Sequence, residues 1–379
     1  MTAMRFINGH VVTPAGVLAN ATLSVGGGRI AAVSDEAATE TVDLDGGWLV
    51  PGFIDTQVNG GGGVLFNDAP TVEGIDAIGR AHARFGTTGF LPTLISDSPE
   101  VIAKALDATD AAIEAGVPGC VGVHIEGPII SVTRKGIHDP EKFRKLDDDL
   151  LALLTRPRRG KVMLTLAPEM VSLEDIARLH AAGVILSIGH SDADYDTAKA
   201  AIAAGMTGVT HLFNAMSPLL HRAPGVVGAA LDDRHVYCGL IADGLHVHDA
   251  ALRLALNARP HDRLMLVSDA MPSVGAVDKD FRLQGRLIHV EDGKCFGEDG
   301  TLAGSDLDMA GAVRNLVART HADVTTAAAM ASTNPAAFLG LSHERGALAS
   351  GLRADWVALT ADLRPAGTWI GGLKIADGI

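Results

Sequence analysis

Four residues set the chemical question: Glu126, His190, His211 and Asp269. Each stands at or near the end of a short apolar run. The strings are His124-Ile125-Glu126-Gly127-Pro128, Gly189-His190-Ser191, Thr210-His211-Leu212-Phe213-Asn214 and Ser268-Asp269-Ala270-Met271. A further run ends Asp243-Gly244-Leu245-His246. A His2Glu set with one coordination position left open is the pattern of a catalytic zinc site. Imidazole nitrogen and carboxylate oxygen suit a borderline divalent ion, whereas calcium and magnesium take more oxygens. An ion held this way lowers the pKa of water from 15.7 to roughly 7. A carboxylate that does not ligate tightly can accept the proton and return it to a leaving group, and Asp269 is the candidate for that task. Taken singly, each of these residues reads as an ordinary solvated or hydrogen-bonded side chain. The metal reading comes from all four standing at equivalent places in one repeating pattern.

That pattern is a series of apolar runs, most rich in β-branched residues: Gly52–Val58, Thr88–Leu94, Val121–Ile125, Val162–Leu166, Val184–Ile188, Gly208–Leu212, Val236–Ile241 and Leu264–Val267. Helical patterns lie between most of them, as at Val72–Phe85, Pro99–Ala115, Leu173–Ala182 and Tyr195–Ala204, and several stop at a glycine: Gly86, Gly116, Gly183, Gly205. Strands alternating with helices predict an α/β fold, a (β/α)8 TIM barrel, whose strand carboxyl ends meet on one catalytic rim. Some crossovers, notably the one after the sixth strand, read as loops. An open doubly wound sheet is the rival, but Asn59–Gly63 does not fit a GxGxxG turn.

Both chain ends read as short strands and turns. Met4–Ile7, Ala21–Val25 and Arg29–Val33 stand at one end; Ala347–Ala349, Ala354–Thr360 and Thr368–Ile370 stand at the other. Neither end has enough apolar residues for a core of its own. Residues 1–50 plus 346–379 are therefore expected to form one small β-sandwich domain, and residues 51–345 the barrel.

Composition excludes several classes. The 379 residues are 47% hydrophobic and 20% charged, normal for a soluble globular protein, and the net charge is −14. That balance argues against duplex DNA or anionic lipid as a partner. An anionic small substrate would need a local cationic pocket. Met1 to His10 lacks the apolar stretch of a signal peptide, and no run approaches the length of a membrane span. Cys120, Cys238 and Cys295 are far apart, which reads as reduced thiols in a cytoplasmic protein. His10, His82, His180, His235, His248, His261, His289 and His343 are read as lying in helices or surface segments, with no role.

Across these strings the chain resembles the N-acetylglucosamine-6-phosphate deacetylases of the amidohydrolase superfamily, over nearly its whole length. The resemblance also includes Ile7-Asn8-Gly9, Pro51-Gly52-Phe53-Ile54-Asp55, Lys135-Gly136-Ile137-His138, Leu302-Ala303-Gly304-Ser305 and Asn334-Pro335-Ala336. It implies that Glu126, His190 and His211 bind one divalent metal, Zn2+ first and Fe, Mn or Co as alternatives, with Asp269 as general base and acid. It implies that His138 helps polarise the acetyl carbonyl. Ile137, Asn214, Ala215, Leu302, Ala303 and Gly304 would contact the substrate, and His246 and Arg222 its phosphate. A homodimer is implied, in which Arg222 reaches the neighbouring active site.

One departure from the wider superfamily is informative. Many members carry His-x-His at the end of the first strand for a second metal; this chain has Gln57-Val58-Asn59, and neutral amides are poor zinc ligands. The fourth strand ends Ala167-Pro168-Glu169, without a lysine to carbamylate. A mononuclear site is the expectation. The implied reaction is hydrolysis of N-acetyl-D-glucosamine 6-phosphate to D-glucosamine 6-phosphate and acetate. The galacto epimer is the alternative substrate. A dihydroorotase-type cyclic amidase would want the missing His pair and lysine. A non-catalytic sugar-phosphate-binding protein on the same scaffold would be expected to have lost Asp269 or a ligand.

Overall fold

The structure is a computed structural model that describes residues 2–378, so Met1 and Ile379, the outer ends of the expected small domain, lie outside the described residues. Its central sheet has eight parallel strands: β1 (Phe53–Val58), β2 (Thr87–Ile95), β3 (Gly122–Glu126), β4 (Lys161–Leu166), β5 (Ile185–Ile188), β6 (Gly208–Val209), β7 (Tyr237–Leu240) and β8 (Leu264–Leu266). They neighbour one another in chain order, and a parallel bridge from Val58 to Ala270 joins the first to the end of the last. That bridge brings the two ends of the sheet together as a (β/α)8 barrel. Each expected run holds a strand. The sixth stops at Val209, short of the expected Leu212, because His211 already turns out of the sheet.

Helices follow each strand: α1 (Val72–Ala83), α2 (Pro99–Glu114), α3 (Asp148–Thr155), α4 (Leu173–Ala181), α5 (Tyr195–Ala204), α6 (Gly225–Asp232), α7 (Asp249–Ala258) and α8 (Met309–Arg319). Their starts are written locally. Thr71, Asp147, Ser172 and Asp194 accept hydrogen bonds from backbone N–H groups of the first turns of α1, α3, α4 and α5. The end of α5 is local too: Gly205 closes it at φ 126°, a conformation costly for any residue with a Cβ. The crossover after the sixth strand, expected to be a loop, contains α6. Its sequence, GVVGAALD, is apolar nearly all round and six of its residues are buried. A helix without a polar face has no amphipathic signature to read.

The chain ends build two further sheets. One holds Thr2–Ile7, Ala21–Gly26, Arg29–Ser34 and Glu40–Asp43; the other joins His10–Thr13, Gly16–Leu18 and Trp48–Pro51 to Trp356–Leu359, Pro365–Ile370 and Leu373–Asp377. Phe6, Leu23 and Ile30 from the first pack with Val11, Leu49, Trp356 and Trp369 from the second. The two sheets are thus a sandwich with a core of its own. Ala347–Ala349 is not a strand. Leu348 is instead buried in that core.

An insertion after β8 was legible only at its end. Residues Phe281–Leu283, Arg286–Glu291, Lys294–Gly297 and Leu302–Ser305 form an antiparallel meander, with Leu302–Gly304 on its last strand. Leu283, Ile288, Cys295 and Ala303 pack it against Leu65, Ile95, Ile137 and Met271 at the barrel mouth. No described helix is long and apolar enough to cross a membrane.

Candidate active site

Glu126 is the last residue of β3, while His190, His211 and Asp269 stand just past β5, β6 and β8. The last three adopt positive φ values of 49°, 33° and 54°. Left-handed backbone is uncommon outside glycine and costs on the order of 1–3 kcal/mol per residue, so surrounding contacts must hold it. The turn at His190 also needs its glycine: a Cβ on Gly189 would lie 2.6 Å from Thr165 Cγ2. Kinking the chain here swings each side chain into the mouth instead of onto the next rung of the sheet.

The donor atoms converge. His190 Nε2 lies 3.2 Å and His211 Nε2 3.1 Å from Glu126 Oε1, and the two nitrogens are 3.1 Å apart. Bonds of about 2.0–2.2 Å around a tetrahedral ion would set such donors roughly 3.3–3.5 Å apart. The spacing and the N2O chemistry of the set fit a borderline divalent ion. His190 Nδ1 donates to the Arg134 carbonyl at 2.9 Å, which leaves Nε2 as the lone-pair face. Burial alone would raise the Glu126 carboxyl, but the two imidazoles facing it hold it well below the usual range. Conversely, burial would lower His211, and the Glu126 and Asp269 carboxylates outweigh it. Glu126, His138 and His190 also offer three ligand atoms within 4.8 Å of one another. In that set His138 Nε2 is 4.0 Å from Glu126 Oε2, so the triangle with His211 is the tighter cage.

Gln57 and Asn59, read from sequence only as poor ligands, grip the candidate base. Gln57 Nε2 donates to Asp269 Oδ1 at 3.0 Å and to Glu126 Oε1 at 3.1 Å; Asn59 Nδ2 donates to Asp269 Oδ1 at 2.8 Å. Burial first, and then the Glu126 charge, push Asp269 up to about 6, against His211, His246 and the Asn59 amide. A carboxyl raised in this way holds a proton more readily than a free aspartate, as a group that must both take and return one requires.

A cavity of about 370 Å³ opens over these groups. It brings together Glu126, His190, His211 and Asp269 with His138, Ile137, Asn214, Ala215, His246, Leu302 and Gly304. His246 Nδ1 is tied to Asp243 Oδ2 at 2.6 Å. Burial would raise Asp243, but His246 and two backbone N–H groups keep its carboxyl low. His138 Nδ1 is 2.8 Å from Ser96 Oγ, and its ring lies 4.4 Å from that of His190. Burial, then His190, hold His138 well below the usual imidazole range.

Two expected substrate contacts fall elsewhere. Ala303 does not line the cavity; it is fully buried behind it, packed with Met271 and Ile288, because alternate residues of a strand face opposite ways. Arg222 is exposed and lines a separate cavity with Arg134 and Asp192. Thr133, Arg134 and Thr301 also join the lining, and nothing in their local pattern marks them; Met271 joins it from the Ser268–Met271 string. His10 and His289, read as helix or surface residues, lie on outer strands. His82 was given no role. His82 is buried on α1 and donates from Nε2 to the Gly60 carbonyl at 2.9 Å, just beyond Asn59.

The amidohydrolase family model matches residues 48–374. The chain is 45% identical over 329 residues to N-acetylgalactosamine-6-phosphate deacetylase of Shewanella sp. (strain ANA-3), covering 87% of this chain and 83% of that one. It is 34% identical over 373 residues to N-acetylglucosamine-6-phosphate deacetylase of Haemophilus influenzae, covering 97% of each. Among solved structures, N-acetylglucosamine-6-phosphate deacetylase from Pasteurella multocida superposes with a TM-score of 0.95 at 35% identity, over 99% of this chain and 100% of that one. A Mycobacterium smegmatis deacetylase variant in complex with N-acetyl-D-glucosamine-6-phosphate superposes at 0.90 with 33% identity, over 99% of each chain.

Proposed function

We infer the reaction from kinship and geometry together, the premise being that this chain belongs to the N-acetylglucosamine-6-phosphate deacetylase family of the amidohydrolase superfamily. It is a metal-dependent amide hydrolase that converts N-acetyl-D-glucosamine 6-phosphate and water to D-glucosamine 6-phosphate and acetate. The observation that carries this reading is the convergence of Glu126 Oε1, His190 Nε2 and His211 Nε2 beside Asp269 at one barrel mouth.

Glu126, His190 and His211 hold one divalent ion per chain, zinc by preference. When bound, it supplies Lewis-acid activation of water and of the acetyl carbonyl. Asp269, anchored through Oδ1, accepts a proton from the attacking water and passes it to the departing amide nitrogen. His138 donates a hydrogen bond to the acetyl oxygen as negative charge develops there. Asn214, Ala215, Ile137, Leu302 and Gly304 bound the sugar, and His246, oriented by Asp243, takes the phosphate. Ala303 contributes by packing behind Gly304.

Arg222 stands outside its own cavity, which supports a homodimer in which it meets the neighbouring subunit's phosphate. Residues 1–50 and 346–379 act as one unit beside the 51–345 barrel, a division supported by the separate core around Trp356. Three buried free cysteines support a cytoplasmic setting.

One observation favours a second reading: the 45% identical Shewanella relative is named for the galacto substrate. The test of both is the zinc-loaded enzyme assayed on both N-acetylhexosamine 6-phosphates and on the unphosphorylated sugars. The gluco 6-phosphate should give the highest kcat/KM. A higher value on the galacto 6-phosphate would move the assignment to that epimer, and equal values with and without phosphate would remove the phosphate site.

A further inference from the structure

Ser96 follows β2 directly and is buried, with its hydroxyl between an imidazole nitrogen and a backbone carbonyl. His138 Nδ1 is 2.8 Å away and the Glu126 carbonyl oxygen 3.3 Å away. A hydroxyl has one proton to donate. The shorter contact is the one to the imidazole. A neutral imidazole also carries one proton, and which nitrogen holds it is set by the partner of the other. If Ser96 donates to Nδ1, the proton of His138 sits on Nε2. If Ser96 accepts from Nδ1 and donates to the carbonyl, Nε2 is a bare lone pair, suited to ligating a cation and unable to donate to an acetyl oxygen.

The surroundings hold this pair in place. Gln284 Nε2 donates to the Ser96 carbonyl at 2.8 Å, and the Arg286 guanidinium donates to the Ile137 carbonyl, next to His138. Both residues belong to the inserted meander and its first turn. Gly127, at φ 78°, makes room for the hydroxyl: a Cβ there would lie 2.2 Å from Ser96 Oγ.

We propose that Ser96 is a positioning residue that sets the tautomer of His138, so that Nε2–H faces the acetyl carbonyl oxygen. The inference rests on the reading of His138 as the group that polarises that carbonyl, and it adds what makes His138 a donor.

A double-mutant cycle on the zinc-loaded enzyme tests it, with Ser96→Ala, His138→Gln and the pair. His138→Gln should lower kcat by ~10² and Ser96→Ala by about 10-fold, as for loss of an oxyanion donor or its orienting partner. KM and zinc per chain should stay near the parental values. In the His138→Gln background, Ser96→Ala should cost nothing more. The trifluoroacetyl analogue of the substrate, whose carbonyl is already activated, should shrink the Ser96→Ala loss. Parental kcat for His138→Gln would overturn the electrophile reading and this inference with it. An impaired His138→Gln with a parental Ser96→Ala would overturn this inference alone. An equal Ser96→Ala loss in both backgrounds, or loss of zinc, would assign Ser96 to the Glu126 backbone instead.

Discussion

Asn59 Nδ2 donates to Asp269 Oδ1 at 2.8 Å, across 210 residues of sequence. Gln57 bonds to the same oxygen at 3.0 Å. Two neutral amides thus anchor one oxygen of the carboxylate, and proton traffic falls to the other. Asp269→Asn keeps the shape and an acceptor for Asn59 but removes the base. It should lower kcat by ~10² or more with the metal retained. Steady-state kinetics beside elemental analysis checks this. Activity within a few-fold of the parent would point to another base, and loss of the metal to a ligand role.

His190 Nε2 and His211 Nε2 approach to 3.1 Å, a spacing that fits the proposed shared ion. Protein purified without added metal should carry one tightly held divalent ion per chain, and His211→Ala should lose it. Two tight equivalents per chain would contradict a site whose Gln57 and Asn59 are already engaged with Asp269.

Arg222 lines a cavity apart from its own His246. Arg222→Met should raise KM for the 6-phosphate about 10-fold or more and matter much less for the unphosphorylated sugar, since a charge-assisted contact is lost. Mixing Arg222→Met subunits with Asp269→Asn subunits gives some dimers with one intact site if the arginine acts in trans. Activity should then partly return. No recovery after confirmed subunit exchange would place Arg222 at its own site.

Asp55 moors the segment just past β8 that carries Asp269. Its carboxyl accepts hydrogen bonds from Ser268 Oγ, from Ser268 N–H at 3.2 Å and from Gln57 N–H at 3.2 Å. Burial pushes it up to about 7, against those hydrogen bonds. A raised folded pKa means the contribution to stability is fully present below the unfolded value near 3.8 and is lost as pH rises through about 7. Asp55→Asn should remove that slope. The difference in urea midpoint between parent and variant, followed from pH 4 to 8, should therefore shift steadily against the parent. A constant difference would mean that Asp55 does not titrate in that range.

The barrel and its metal-compatible rim were readable in the order of residues alone. Strand alternation, helix caps and terminating glycines act over a few residues, so their pattern is readable without partners. Glu126, His190, His211 and Asp269 were legible because each sits where a run of apolar residues stops. The tertiary structure decided what those residues do to one another. Gln57 had no local mark as the holder of an aspartate 212 positions away, nor Ser96 as the neighbour of a histidine 42 positions on. Helix α6 was hidden because a helix buried on every side has no period to show. Ala303 was placed by facing: one strand residue turns its back on the cavity that its neighbour lines, and only the packed chain says which. Backbone preferences are short-ranged, whereas an active site is made of side-chain contacts between distant strands, and those exist only after the barrel has closed.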